Sequence, residues 1–486
     1  MVSTLEIFIL VNYLFCAFIV FDMIFISKKK FERIAAWIFT LLIPFFGLAV
    51  YLLIGAGLSS RVKKMIQKKS LSNQEYNLHL KKQIEQIKKS KNTDYASEFK
   101  ELVLLNLNNC DSILTTNNEI EYYTESEIFI QKLIEDIKNA KSTIHMQFYI
   151  FANDKIGKII KNELVKKASE GVEVKLLYDS IGSLGTGKRC FKKLKKAGGQ
   201  IAEFFPPFLN IKILNINANH RNHRKIVVID GKIGWTGSTN IREDHLGHKP
   251  NLSPWRDSNI RIQGGAVHSL QNIFLTDWRY SVSDKNPTDY YLNNKYFPEF
   301  KQSNGIAMQV ISSGPDDNKK ESIKECMIKM IVSAKKKILI QTPYFIPDDS
   351  FMGALKLALL SGVKVEIMIP KKIDHISVHF ATMSYINDLL EMGGSVQIYK
   401  GFLHSKVLLI DDKILTLGSC NIDIRSFSLN FEDNVVIYNR DKVLEYKEIY
   451  NKDLLLCTEY TDADSKKKNI FYKMFISIAR LFSSIL

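Results

Sequence analysis

Residues 217–240 read NANHRNHRKIVVIDGKIGWTGSTN. His223 and Lys225 stand two apart at the head of an apolar run, Asp230 ends that run, and Gly237, Ser238 and Asn240 close the stretch. Residues i and i+2 of a strand point to one face, so the imidazole and the ammonium project together. The run IVVI between them and Asp230 buries the strand and makes it a rigid base. A strand that only fills a core has no use for this order. Either these groups grip something anionic, or they are a solvated strand end without a role.

The stretch occurs twice. Residues 404–421, HSKVLLIDDKILTLGSCN, carry His404, Lys406, Asp411, Gly418, Ser419 and Asn421, at offsets of two, seven, fourteen, fifteen and seventeen from the histidine in both copies. One such pattern arises by chance in a lysine-rich chain; two with matching tails do not. The surroundings repeat as well. STIHMQFYIFAND (142–154), a helical stretch and GVEVKLLYD (171–179) correspond to KKILIQTPYFIPDD (336–349), a helical stretch and GVKVEIMIP (362–370), each followed by a short strand, QIAEFF or SVQIYK. Strand–helix–strand units predict an α/β fold of two halves, with parallel-type sheets covered by helices.

Two histidines and two lysines around one phosphate suit phosphodiester transfer. One imidazole attacks phosphorus, the other protonates the leaving alkoxide, and the lysines balance charge on the oxygens. Ser238, Asn240, Ser419 and Asn421 are the expected phosphate-binding groups, with Gly237 and Gly418 permitting close approach. Asp230 and Asp411 belong to the same catalytic motifs, although their odd spacing suits bracing a loop or the lysine. An active imidazole needs an acceptor on its second nitrogen. Asp257, thirty-four residues after His223, and Glu432, twenty-eight after His404, are the candidates. No compact acid–histidine cluster suggests a divalent ion, so the expected chemistry uses no metal and no cofactor.

The chain has 486 residues, a formal charge of +16 and six scattered cysteines without C-x-x-C spacing. That length holds two or three domains, and the charge calls for an anionic partner. The cysteines argue against a disulfide scaffold and a zinc site. Residues 5–26 and 35–53 are nearly uncharged and long enough to span a bilayer, joined by SKKKFER. Residues 1–60 are therefore expected to form a transmembrane helical hairpin, and 61–109 a basic tether. Residues 110–300 and 301–462 are the two halves. The larger basic cluster after the second run favours a cytoplasmic body. Residues 463–486 form a basic amphipathic tail, suited to a membrane interface or to packing on its own domain.

The paired motifs resemble the phospholipase D superfamily. Over the whole chain, GVEVKLLYDSIGS, NHRNHRKIVVIDG, WRD, QTPYFIPD and GSCNIDIRSFSLNFEDN are similar to the bacterial cardiolipin synthases. The resemblance implies two pseudo-symmetric phospholipase D-like halves, mixed sheets covered by helices, whose motifs meet in one site. It implies transfer of a phosphatidyl group between two phosphatidylglycerol molecules, with His223 as nucleophile, in a bacterial cell membrane. Phosphatidylglycerol and other anionic lipids are then the partners, and no nucleic acid is expected. A nuclease, a hydrolytic phospholipase D and a non-catalytic lipid-binding protein are the rival readings.

Overall fold

A computed structural model describes residues 4–21, 81, 83–85, 98–205, 220–282, 294–300, 304–316 and 321–483. Helix α1 (Thr4–Phe21) takes up most of the first apolar run. The second run lies outside the described residues, as does most of the tether. Among the described residues no helix is long and apolar enough to cross a membrane. The end of the expected tether is instead folded: α2 (Lys100–Cys110) buries Leu102, Val103 and Leu107 in the core of the second half.

The first half contributes β1 (Thr115–Tyr123), β2 (Thr143–Phe148), β3 (Glu173–Asp179), β4 (Gln200–Phe204), β5 (Arg221–Asn222), β6 (Ile226–Ile229), β7 (Ile233–Gly237), β8 (Trp255–Arg256) and β9 (Asn259–Gln263). Among its helices are α3 (Ser126–Asn139), α4 (Lys155–Ser169) and α5 (Ala266–Val282). The second half contributes β10 (Ile306–Ser313), β11 (Lys337–Gln341), β12 (Phe345–Ile346), β13 (Lys364–Pro370), β14 (Ser395–Tyr399), β15 (Phe402–Leu403), β16 (Val407–Ile410), β17 (Ile414–Gly418), β18 (Ile422–Asp423), β19 (Asn430–Ile437) and β20 (Cys457–Glu459). Its main helices are α6 (Ser322–Ser333), α7 (Asp349–Leu360), α8 (Ile376–Glu391), α9 (Arg440–Leu454) and α10 (Ile470–Leu481).

One half runs β4-β3-β2-β6-β7-β9-β1 and the other β14-β13-β11-β16-β17-β19-β10, the same order reflected about the antiparallel β1–β10 pair. In each half three strands, β4-β3-β2 and β14-β13-β11, pair in parallel, and the other pairs, including β20 on the edge beside β14, are antiparallel. The sheet is therefore mixed and not the parallel type that the repeat alone suggests. Every residue of β6 and β16 is buried, as continuous apolar runs require when both faces of a sheet are covered. On α3 and α4, Phe129, Ile130, Leu133 and Ile137, then Ile156, Ile160 and Leu164, recur at helical spacing and fill the first core. Asp154 caps α4 by accepting from Gly157 N at 2.9 Å. A further core mixes both halves, with Val228, Leu270 and Phe274 packed among Leu409, Leu417 and Val435. The halves are therefore fused, not tethered.

Asp230 and Asp411, grouped with the catalytic motifs but spaced to brace, place their carboxylates on backbone N–H groups of a neighbouring turn, which corrects the catalytic grouping. Both adopt left-handed φ angles of 54° at the end of their strands. The Asp230 carboxylate accepts from the backbone N–H of Lys141, Ser142 and Thr143 at 2.8, 2.6 and 2.8 Å. Asp411 does the same for Lys335, Lys336 and Lys337 at 2.6, 2.7 and 2.8 Å. Each ties the far end of the motif strand to the start of its neighbour, away from the histidine. The motif glycines also serve the backbone: a Cβ on Gly237 would sit 2.4 Å from Ser258 O, and one on Gly418 2.3 Å from Asp433 O. Replacing Asp411 with Ala leaves three N–H groups without their charged acceptor and should lower the unfolding free energy by about 2 kcal/mol. An unchanged midpoint in a denaturant titration would remove that role.

Candidate active site

The two motif strands do not stay with their own halves at their polar ends. Short strand β5 pairs in parallel with β19 of the second half, Arg221 opposite Asn430 and Asn222 opposite Phe431. In the mirrored place β15 pairs with β8 of the first half, Phe402 opposite Trp255 and Leu403 opposite Arg256. His223 N then donates to Phe431 O at 2.9 Å, and His404 N to Arg256 O at 2.7 Å. These exchanges carry each histidine to the other half's acid. Nδ1 of His223 lies 3.0 Å from the Glu432 carboxylate, and Nδ1 of His404 lies 2.7 Å from Asp257 Oδ1.

Both acids expected as imidazole acceptors lie within hydrogen-bond distance of an Nδ1, but each meets the histidine of the opposite half. Sequence distance pointed to Asp257 for His223; the strand crossover reverses it. With Nδ1 engaged, Nε2 is the ring nitrogen left for chemistry. His223 and His404 line one cavity of about 520 Å³, with Asn240 and Asn421 beside them.

The serines do something other than expected. Ser238 Oγ donates to Asp257 Oδ1 at 2.6 Å and Ser419 Oγ donates to Glu432, so both hydroxyls hold the acids. Asn240 Oδ1 accepts from Ile150 N at 3.1 Å, while Asn421 Oδ1 is buried without a hydrogen-bond partner among the described residues. Lys225 and Lys406 are buried, and each Nζ donates to the carbonyl of its own histidine, at 2.6 Å for Lys225. The Tyr149 ring meets His223 edge-on at 4.8 Å and lies 5.7 Å under the Lys225 ammonium.

His245 escaped the sequence reading. It is buried beside the site, its ring centroid 5.1 Å from that of His404 and its Nδ1 3.5 Å from Asp257 Oδ2. Trp255 packs against both rings and donates from its indole N–H to Asp257 Oδ2 at 2.7 Å. Counting from the motif histidine, Ser426 occupies the corresponding place in the second half, so this third imidazole breaks the symmetry. No repeat or spacing marks it. His245, Asp257 and His404 are close enough together to hold a metal ion. Asp257 already accepts from His404, Ser238, Trp255 and Ser126, which fits an imidazole clamp.

Burial sets the resting charge state. It brings His223 down to about 4 and His404 well below the usual histidine range, the latter helped by Lys406. Burial lowers Lys225 to about 8, and burial with the Lys225 charge lowers Lys406 to about 7. Burial alone would raise Asp257 and Glu432, but the neighbouring imidazoles hold both below their ordinary values. At mildly alkaline pH the imidazoles are neutral and the lysines only partly charged, so an anion between them would favour the protonated lysines. At pH 8 a bound phosphodiester should raise the lysines and draw in roughly one proton per ligand. Calorimetry with dimethyl phosphate, in buffers of different ionisation enthalpy, measures that uptake. Binding without proton uptake would place the anion away from the lysines.

The model of the family described as "Cardiolipin synthase, PLD-like domain" matches residues 133–278 and 327–454, one segment in each half. The major cardiolipin synthase of Bacillus subtilis (strain 168) is 39% identical over 485 residues, covering 98% of this chain and 99% of that protein. A cardiolipin synthase of Staphylococcus aureus (strain Mu50) is 41% identical over 474 residues, covering 96% of this chain and 94% of its own length. Among solved structures, phosphatidylserine synthase from Haemophilus influenzae Rd KW20 has a similar fold. Its TM-score is 0.59 at 16% identity, over 80% of this chain and 100% of that one. By full-length identity and by the matched domain in both halves, the chain belongs to the cardiolipin synthase family of phospholipase D-like proteins.

Proposed function

We propose that the protein is a phosphatidyltransferase that converts two phosphatidylglycerol molecules into cardiolipin and glycerol through a phosphohistidine. The observation that carries this is the crossed pair, two imidazoles each held at Nδ1 by a buried carboxylate of the opposite half and both open to one cavity. Such a pair can serve as nucleophile and proton carrier at one phosphorus.

His223 Nε2 attacks the donor phosphorus, a P–N bond forms, and the P–O bond to glycerol breaks. His404 gives its Nε2 proton to the departing alkoxide. It then takes a proton from a headgroup hydroxyl of the second phosphatidylglycerol, whose oxygen displaces His223 from phosphorus. Glu432 and Asp257 fix the two rings and stabilise the imidazolium forms. The substrate phosphate promotes protonation of His404, which burial and Lys406 otherwise keep neutral. Lys225, Lys406, Asn240 and Asn421 answer the charge on the non-bridging oxygens, and no divalent ion is required.

The two apolar runs at residues 5–26 and 35–53 act as a transmembrane hairpin in a bacterial cell membrane, with the catalytic body on the cytoplasmic side. Their length and lack of charge support this.

Purified protein given phosphatidylglycerol should release glycerol and form cardiolipin in equal amounts, and EDTA should leave the rate unchanged. Phosphatidic acid as the sole product would make the protein a hydrolase. Loss of activity in EDTA, restored by one divalent ion, would overturn the metal-free route. For the histidine roles, His404→Ala should accumulate a phosphatidyl adduct on His223 and His223→Ala should form none. Glu432→Gln should slow adduct formation, and Asp257→Asn its breakdown, each by about 10²–10⁴-fold. Mass spectrometry of the intact variants reads all four. An adduct on His404 in His223→Ala would reverse the assignment.

A further inference from the structure

Helix α10 satisfies only part of its apolar surface within the protein. Ile476 and Ala479 are buried against α8, Phe475 stacks on Phe380 at 5.5 Å, and Tyr472 meets the same ring at 5.2 Å. At the far end Arg480 bonds Asp388 at 2.8 Å and lies 3.7 Å over the Tyr385 ring. These contacts set the two helices side by side with their N-terminal ends together. The rest of the apolar stripe is open: Ile470 is 74% exposed, Phe471 66% and Leu481 66%, with Met474 and Ile478 between them.

The open stripe leads to the active site. One turn before Phe380 on α8 stands Ile376, 71% exposed, and beside it His375 and Val378 line the catalytic cavity. An apolar strip therefore runs from the cavity rim onto α10. Exposed Lys466, Lys467, Lys468 and Lys473 flank its start. Apolar side chains rimmed by lysines match the boundary between anionic headgroups and acyl chains.

We propose that the α8–α10 face docks on an anionic bilayer, with α10 lying in the interfacial plane and the cavity mouth held at headgroup level. Lipids would then enter sideways with their acyl chains still in the bilayer. This last consequence rests on the transfer reaction proposed above; the docking does not.

Two measurements on the full-length protein separate these parts. Phe471→Trp, in vesicles of equal parts phosphatidylglycerol and phosphatidylcholine, should show quenching by brominated lipid beyond that of the native tryptophans. No added quenching overturns the docking, whatever the enzyme does. The double variant F471E/M474E should lose most of its turnover on bilayer phosphatidylglycerol while keeping that on monomeric dihexanoyl phosphatidylglycerol. F471L/M474L should keep both. Equal loss on both substrates, or loss on neither, overturns the sideways entry. A dimer dissociated by F471E/M474E would assign the face to a second copy instead. Wild-type protein that transfers no phosphatidyl group at all would sink the function while leaving the quenching result to stand.

Discussion

The site depends on the exchange of acids between halves. Glu432 reaches His223 and Asp257 reaches His404 because β5 and β15 each leave their own half and pair with the other. A buried carboxylate beside an imidazole is stable only when its remaining lone pairs are filled. Ser238, Trp255 and Ser126 do this for Asp257, and Ser419 and Asn430 do it for Glu432. Neither half holds a complete imidazole–carboxylate pair alone. Duplication of the domain thus gives a single site and not two.

Further buried ionic contacts hold the halves in that register. Arg224, next to His223, bonds Asp277 at 2.7 Å and donates to Glu432 O and Ser313 O of the second half. Arg256, next to Asp257, donates to Asp453 across the interface at 2.9 Å. Such contacts need not add net stability, but removing one partner leaves a buried charge uncompensated. They make slippage between the halves costly, and slippage is what the crossed pairs could not survive.

Electrostatics at the site run opposite to the chain as a whole. A net charge of +16 attracts anionic surfaces, yet burial discharges the histidines and depresses the lysines at the point of chemistry. Under the proposed reaction a neutral His223 can act as nucleophile, and lysines poised near neutrality would become cations beside a phosphate. His245 adds a third imidazole on the Asp257 side alone, so the two motif histidines meet different surroundings.

The sequence by itself determined the duplicated α/β halves, the motif histidines and lysines, and the two acids that orient the rings. The halves and motifs recur at identical offsets that are visible without coordinates, and each acid follows its motif at a similar distance. It also marked Asp230 and Asp411 as bracing residues, since an odd number of steps along a strand turns a side chain to the other face. What the tertiary structure alone decided was which acid serves which histidine, that Ser238 and Ser419 hold acids, and that His245 and Trp255 join the site. It also decided that α2 belongs to the second core and that α10 packs along one edge only. Each of these depends on chain segments far apart in sequence, where offset along the chain says nothing about distance in space. A strand crossing from one half to the other leaves no trace in spacing, because its own residues look the same whichever partner they pair with.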